Sequence, residues 1–301
     1  MSPIREIATR ALELKSLACD ASNEDAPAVH GGSRLEAALQ RALRDGDLRL
    51  DFQPLIAVAG GATAGFEALL RWRRPGLGEF AAASFVDAAE GTPVFDDIGA
   101  WSLVEAARAA AAWPARLRVA VNLSPAQLQS PRVTATVRGL VEEGRLDPRR
   151  LELEIVKSAL IDDFAAVATN LNALRSCGVT VALDDFGGDG LSIQALARLP
   201  LDRLKIDRTF IVEAMVNPRC AAVIRAAARI AKELGLALTG EGVETCEQFE
   251  LLRSAGCDET QGFFHSRPLP ESELAEVFER TPGGCAARSD CRLCHRYAQR
   301  R

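Results

Sequence analysis

The run VALDDFGGDG, residues 181–190, starts apolar, meets two adjacent carboxylates at Asp184 and Asp185, and then dissolves into glycine. Such a pattern predicts a short buried strand that stops at a turn. Side by side, the two acids repel each other, and more strongly as water is excluded. A strand that ends on both therefore calls for positive charge beside it.

Working outward, the same construction recurs. LRLDFQP, AGFEALLRW, LRVAVNLS, RLELEIV, VTVALDDFG, LDRLKID, LALTGEGVE and DETQGFF are eight candidate strands, with helix-length segments between the later ones. The clearest helix is NPRCAAVIRAAARIAKELG, where Asn217 caps, Pro218 suits the first turn, Val223, Ala227, Ile230 and Leu234 recur on one face, and Gly235 stops it. Strands alternating with helices over roughly 250 residues predict a (β/α)8 barrel, with an open doubly wound sheet as the rival. The polar residues favour the barrel. Gln53, Glu67, Asn122, Glu154, Asp184 with Asp185, Lys205, Glu241 and Gln261 close successive runs, and only a closed ring of strands brings so many ends to one place.

Glu67, Glu154, Asp184 and Asp185 with the amide of Asn122 make an all-oxygen set, which suits magnesium or manganese. Asp184 is placed to bridge two ions and Asp185 to complete the second position; two such ions hold the attacking and leaving oxygens of a phosphoryl displacement. Lys205 is expected to polarise the water or steady the developing charge, and Glu241 to accept the proton. Arg71, in LLRWRRP, is a phosphate clamp if its strand ends at the site. Any one of these alone is more often a cap, a turn residue or a solvated charge. Their occurrence at one structural level carries the expectation.

Composition bounds the rest. With 301 residues, 48% of them hydrophobic, the chain can bury a full core, and its net charge of −5 argues against bulk nucleic-acid binding. No stretch approaches the roughly 20 apolar residues of a membrane span, and the first residues carry Arg5, Glu6, Arg10, Glu13 and Lys15 rather than a signal-peptide core. The expectation is a cytoplasmic protein without a membrane segment. Residues 1–33, which decay into ASNEDAPAVHGGS, are expected to be a flexible leader, residues 34–280 the barrel, and residues 281–301 a Cys- and Arg-rich tail. Cys19, Cys177, Cys220, Cys246 and Cys257 are scattered and are expected to be reduced packing thiols. In the tail, Cys285, Cys291, Cys294 and His295 have ligand types and spacing for zinc. The alternative there is a basic tail without metal, given Arg288, Arg292, Arg296, Arg300 and Arg301.

These motifs resemble the EAL-domain family of cyclic-di-GMP phosphodiesterases from about Arg34 to Leu274. The name-giving triplet stands as Glu67, Ala68 and Leu69, preceded by DFQP and followed by VNLSPAQL, LELEI, ALDDFGG, LPLDRLKIDRTFI, GEGVET and GCDETQGFFHSRPLP. The resemblance implies a modified TIM barrel with one antiparallel strand. It also implies hydrolysis of the bacterial second messenger cyclic-di-GMP to linear pGpG, two magnesium or manganese ions, and a homodimer. Residue by residue, Glu67, Asn122, Glu154, Asp184 and Asp185 match metal ligands. Lys205 and Glu241 match groups that assist the hydrolytic water, Gln53, Arg71 and Gln261 match substrate-pocket positions, and Glu244 matches an acid that supports the adjacent loop. Two departures stand out. Ile155, Val156, Lys157 and Ser158 replace Ile-Thr-Glu-Ser, and Gly188, Asp189, Gly190, Leu191 and Ser192 replace Thr-Gly-Tyr-Ser-Ser. An ammonium only donates where a carboxylate accepts, so a Lys157–Asp189 pair with exchanged charges is one expectation. A receptor or interaction module that binds without turnover is the rival function.

Overall fold

Strand alternation builds the molecule. In the computed structural model, which describes residues 30–74, 76–156, 164–187 and 196–278, the strands are β1 (Leu48–Ala57), β2 (Thr63–Arg74), β3 (Gly78–Ala81), β4 (Arg118–Leu123), β5 (Leu151–Val156), β6 (Thr180–Phe186), β7 (Arg203–Ile206), β8 (Ala237–Gly240), β9 (Glu259–Thr260) and β10 (Leu269–Pro270). All eight expected runs form strands. The leader up to residue 29, Lys157, residues 188–192 and the tail with Cys285, Cys291, Cys294 and His295 lie outside the described residues.

From β2 through β4, β5, β6, β7 and β8 to β9 every neighbour is parallel. Within the ring only β1 runs against its neighbours, pairing antiparallel with both β2 and β9. Those two pairings close eight strands into a barrel, while β3 and β10 extend the sheet beyond the ring. The result is an α/β barrel with one reversed strand.

Successive side chains point to opposite faces of a strand, and here the two faces differ in kind. Val119, Val121, Leu151, Leu153, Ile155, Val181, Leu183 and Leu204 belong to the main apolar core. The alternate residues Glu152, Glu154, Arg203 and Lys205 are just as buried but charged. LELEIV is thus a strand with helices on one side and a polar barrel lumen on the other. Around β1 and β2 the outer layer is aromatic: Trp113 meets Phe52 edge-on with centroids 5.2 Å apart and Phe66 at 5.0 Å.

The longer helices are α1 (His30–Asp45), α2 (Pro93–Ala111), α3 (Pro131–Glu142), α4 (Phe164–Ser176), α5 (Pro218–Glu233) and α6 (Cys246–Ala255). Helix α1 begins ahead of Arg34, inside the span assigned to the leader. Its Leu39 and Ala42 pack with Trp72, Phe85, Phe95 and Ile98 in a second, smaller core. Helix α5 is capped as expected, Asn217 Oδ1 accepting from the Arg219 N–H at 3.0 Å, and Gly235 after it takes φ +70°. Its expected inner face is corrected. The buried residues are Cys220, Ile224, Ala227, Ala228 and Ala231, whereas Val223 and Leu234 are 44% and 40% exposed. The buried stripe is thus mostly small residues with Ile224 among them, rotated from the one expected, and it packs on β7 and β8. Of the cysteines, Cys177, Cys220, Cys246 and Cys257 are free thiols, the last three buried. No helix among the described residues is long and apolar enough to cross a membrane.

Candidate active site

Lys205 organises the barrel mouth. Penultimate in β7, its side chain is 1% exposed, with Nζ 2.7 Å from Glu154 Oε2, 2.6 Å from Glu241 Oε1 and 3.9 Å from both Glu67 and Asp184. Burial opposes its charge, but the four carboxylates raise its affinity for the proton well above that of an ordinary lysine. Lys205 is therefore a fixed cation.

One ammonium does not balance the acids around it. Burial pushes the Glu154 carboxyl well up, against the pull of Lys205 and with help from Glu67, Asp184 and Glu241. Burial likewise, with Asp184 and Glu67 added and Lys205 opposing, pushes Glu241 up to about 8. Glu67 behaves differently. Burial acts to raise it, but Lys205 and the hydrogen bonds from Gln261 and Asn122 together hold it below the usual carboxylate range. Asn122 Nδ2 donates to Glu67 Oε1 at 2.6 Å, and Gln261 Nε2 donates to Glu67 Oε2 at 2.5 Å and to Gln53 Oε1 at 3.1 Å. Gln53 in turn donates to the Ser266 carbonyl at 3.2 Å.

The opening puzzle of adjacent aspartates is resolved by the backbone. Register between β6 and β7 shifts between Leu183 and Phe186, and Asp185 takes φ +56°, the one positive φ at a non-glycine among the described residues. Regular strand geometry would send the two side chains to opposite faces. With the shift, carboxylate oxygens of Asp184, Asp185 and Glu241 lie within 4.8 Å of one another, a group able to hold a metal ion. The left-handed conformation costs about 1–2 kcal/mol for most residues, and Asp184 Oδ1 offsets part of this by accepting from the Asp185 N–H at 2.8 Å.

Gln53 corrects one expectation. It lies mid-strand in β1, in register with Glu67, which is itself mid-strand in β2, so neither residue closes its strand as expected: the long β1–β2 pair runs on past the mouth. Arg71 lies on β2 beyond the mouth, its Nε 2.9 Å from Asp51 Oδ2 and its Nη1 donating to the Leu70 carbonyl at 3.2 Å. Glu244 pairs with Arg208 at 2.7 Å, and its N–H donates to Gln248 Oε1 at 2.7 Å. Above the ring opens a cleft of about 250 Å³ lined by Gln53, Glu67, Asp184, Glu241, Glu244 and Gln261 together with Arg208, Gly242, Gly262 and Phe263; Asn122, Glu154, Asp185, Lys205 and Arg71 are not part of that lining. The signal for the two glycines was available in GEG and QGFF. Gly242 has φ +63°, and a Cβ on Gly262 would stand 2.1 Å from the Val243 carbonyl.

The donor set fits divalent cations. Every ligand candidate offers oxygen, Glu154 Oε1 is buried without a hydrogen-bond partner, and four carboxylates share a single ammonium while Asp185 stands beside Asp184 and Glu241. Two divalent charges would neutralise the excess.

The family model for the EAL domain matches residues 36–268. This chain belongs to that family. Among relatives, the uncharacterized protein y4lL of Sinorhizobium fredii is 39% identical over 82% of this chain and 30% of its own length. The cyclic di-GMP phosphodiesterase NbdA of Pseudomonas aeruginosa is 38% identical over 81% of this chain and 32% of its length. A solved structure titled as the phosphodiesterase PaMucR in complex with c-di-GMP aligns with a TM-score of 0.76 and 37% identity, covering 80% of this chain and 99% of that one. The chain thus spans about a third of the length of these curated relatives.

Proposed function

We propose that this EAL domain is a metal-dependent phosphodiesterase that hydrolyses cyclic-di-GMP to linear pGpG. The observation that carries the reading is the buried Lys205 ammonium held at 2.7 and 2.6 Å between Glu154 and Glu241, beneath a mouth lined by further acids. A receptor needs no such uncompensated set, because binding a dianionic nucleotide beside excess negative charge is unfavourable until cations are added. The kinship with proteins named as cyclic di-GMP phosphodiesterases supports the substrate class.

In this reading Glu67, Asn122, Glu154, Asp184 and Asp185 hold two magnesium or manganese ions, which neutralise phosphate charge and acidify a water. The chain's own groups do the rest. Lys205 supplies positive charge in a site closed to solvent from below, where it is preorganised for the charge that develops on phosphorus oxygens. Glu241 Oε1 receives the proton of the attacking water, and its contact with Asp184 and Asp185 equally suits it to a cation. Gln261, itself held by Gln53, orients Glu67, and the two amides are presented to the substrate. Arg71, positioned by Asp51, clamps a phosphate, and Glu244 with Arg208 steadies the rim. Assembly as a homodimer in the cytoplasm belongs to the same reading.

Purified chain with cyclic-di-GMP and magnesium or manganese is expected to yield pGpG by chromatography, with chelator and Glu67→Ala abolishing the product. Binding of cyclic-di-GMP without product in either metal would replace this conclusion with the receptor reading.

A further inference from the structure

Directly below the mouth lies a second charged layer that the proposed chemistry does not use. Glu152, Arg203, Thr239 and Glu259 each stand two residues before a mouth residue, namely Glu154 and Lys205 on the same strands and Glu241 and Gln261 just past the ends of theirs. Side chains two apart share a face, so these four point into the lumen one step deeper. Arg203 Nε is 2.9 Å from Glu152 Oε2, its Nη1 donates to Thr239 Oγ1 at 3.0 Å, and its Nη1 also lies 3.1 Å from Glu259 Oε2. Arg118, from the start of β4, reaches the same place, with Nε 3.3 Å from Glu152 Oε1 and Nη1 donating to Glu259 Oε1 at 2.8 Å. Room for its stem is provided by Gly65, where a Cβ would stand 2.6 Å from Arg118 Cγ. All four charged side chains are nearly buried. Two guanidiniums against two carboxylates leave the layer neutral.

We propose that this neutral floor is the positioning device for Lys205 and Glu154. It ties β4, β5, β7, β8 and β9 across the lumen, and it leaves no spare carboxylate below Lys205, whose ammonium is thereby committed upward to Glu154 and Glu241. Removing Arg203 leaves Glu152 and Glu259 sharing Arg118 alone. Glu152, two residues below Glu154, then competes for the ammonium. Arg203, Glu152, Arg118, Glu259 and Thr239 are positioning residues, none of them touching substrate. The kinetic arm of this inference rests on the hydrolase reading above; the spectroscopic arm does not.

The chain has four lysines, Lys15, Lys157, Lys205 and Lys232, so lysine-selective ¹⁵N labelling gives a sparse spectrum in which the Lys205 ammonium is assigned by its loss in Lys205→Met. Arg203→Met is expected to shift that signal without metal or substrate, and to lower kcat on cyclic-di-GMP about 10–100-fold with KM within about twofold, the scale of lost outer-shell support at metal sites. Arg203→Met combined with Glu152→Gln leaves the Arg118–Glu259 pair, restores neutrality, and is expected to return the signal and most of kcat. Thr239→Val, which removes only a hydroxyl, is expected to shift the signal in the same direction by less, and it decides the matter if Arg203→Met does not fold. A folded Arg203→Met or, where that variant does not fold, a folded Thr239→Val with the wild-type Lys205 signal overturns the proposal, as does a double variant whose loss is the sum of the singles. A wild type that does not hydrolyse cyclic-di-GMP, but whose Lys205 signal responds as described, refutes the hydrolase reading alone.

Discussion

Replacing Lys205 by methionine keeps the length of the side chain and deletes its charge. At an effective dielectric near 20, each contact at 2.6–2.7 Å is worth roughly 6 kcal/mol gross and each at 3.9 Å roughly 4 kcal/mol. Desolvating an ammonium that is 1% exposed cancels most of that, so the net worth of the cation is far smaller than the sum. What counts is the state left behind. Glu154, Glu241, Glu67 and Asp184 would face one another with no cation, and removing one partner from a buried ionic cluster costs about 3–5 kcal/mol. Glu154 and Glu241, both already pushed up, relieve part of this by taking protons, which favours the lower end of that range. At roughly 2–4 °C per kcal/mol for a domain of this size, the melting temperature falls by about 6–20 °C.

Thermal melts in chelator measure that fall, and a second melt in millimolar manganese separates its cause. Cations bind the same carboxylates, so manganese should raise the melting temperature of Lys205→Met by more than it raises the wild type. Turnover should drop about 10²–10³-fold, the usual consequence of deleting a preorganised charge, at nearly unchanged KM. A variant that melts within 2 °C of the wild type in chelator, gains no more from manganese, and keeps kcat within about threefold would refute the assignment of Lys205 as the ring's fixed cation.

The backbone at Asp185 separates stability from activity. Asp185→Gly relieves a left-handed residue and is expected to hold or raise the melting temperature, by up to about 1 kcal/mol, while abolishing turnover; a destabilised Asp185→Gly would contradict the strain argument. Gly262→Ala places a Cβ 2.1 Å from the Val243 carbonyl and 2.2 Å from its nitrogen at φ +152°, and it should cost roughly 3 kcal/mol in denaturant melts while displacing the neighbouring Gln261. On α5, Val223→Ser should stay within about 0.5 kcal/mol of the wild type, whereas Ala227→Leu should lose about 1–3 kcal/mol by overpacking; equal effects would restore the face first expected from periodicity.

Much of the barrel was legible because its two faces alternate in the residues themselves. LELEIV and LDRLKID announce strands whose odd and even positions go to different environments, and the polar residue near each strand end falls at the mouth. Legibility failed where the deciding contact is distant in sequence. Gln53 reads as a strand-end residue until β1 is known to be reversed, and nothing within LRLDFQP records the direction of its neighbours. Val223 looked buried because periodicity alone cannot distinguish a stripe of alanines pressed close to a sheet from a stripe of larger residues beside it. Glu152 and Arg203 sat in plain view at the right spacing, yet they pair over the intervening β6, 2.9 Å apart, and only closure of the barrel brings Arg118 on β4 within 2.8 Å of Glu259 on β9.

That closure also explains why the two polar layers are built so differently. In the floor every charge has an opposite within ion-pair distance, and the count of guanidiniums equals that of carboxylates, so nothing there recruits an ion from solution. Two residues further along the chain, four carboxylates share one lysine, and Glu154 Oε1 is buried without a hydrogen-bond partner. Stability alone would not produce this contrast, since buried unbalanced acids are destabilising. The imbalance is confined to the layer beneath the cleft, which in the proposed reaction receives cations and a phosphodiester, and is absent from the floor below it. The adjacent Asp184 and Asp185 belong to that logic: a register shift and a left-handed residue are accepted, and carboxylate oxygens of both acids lie within 4.8 Å of each other and of Glu241.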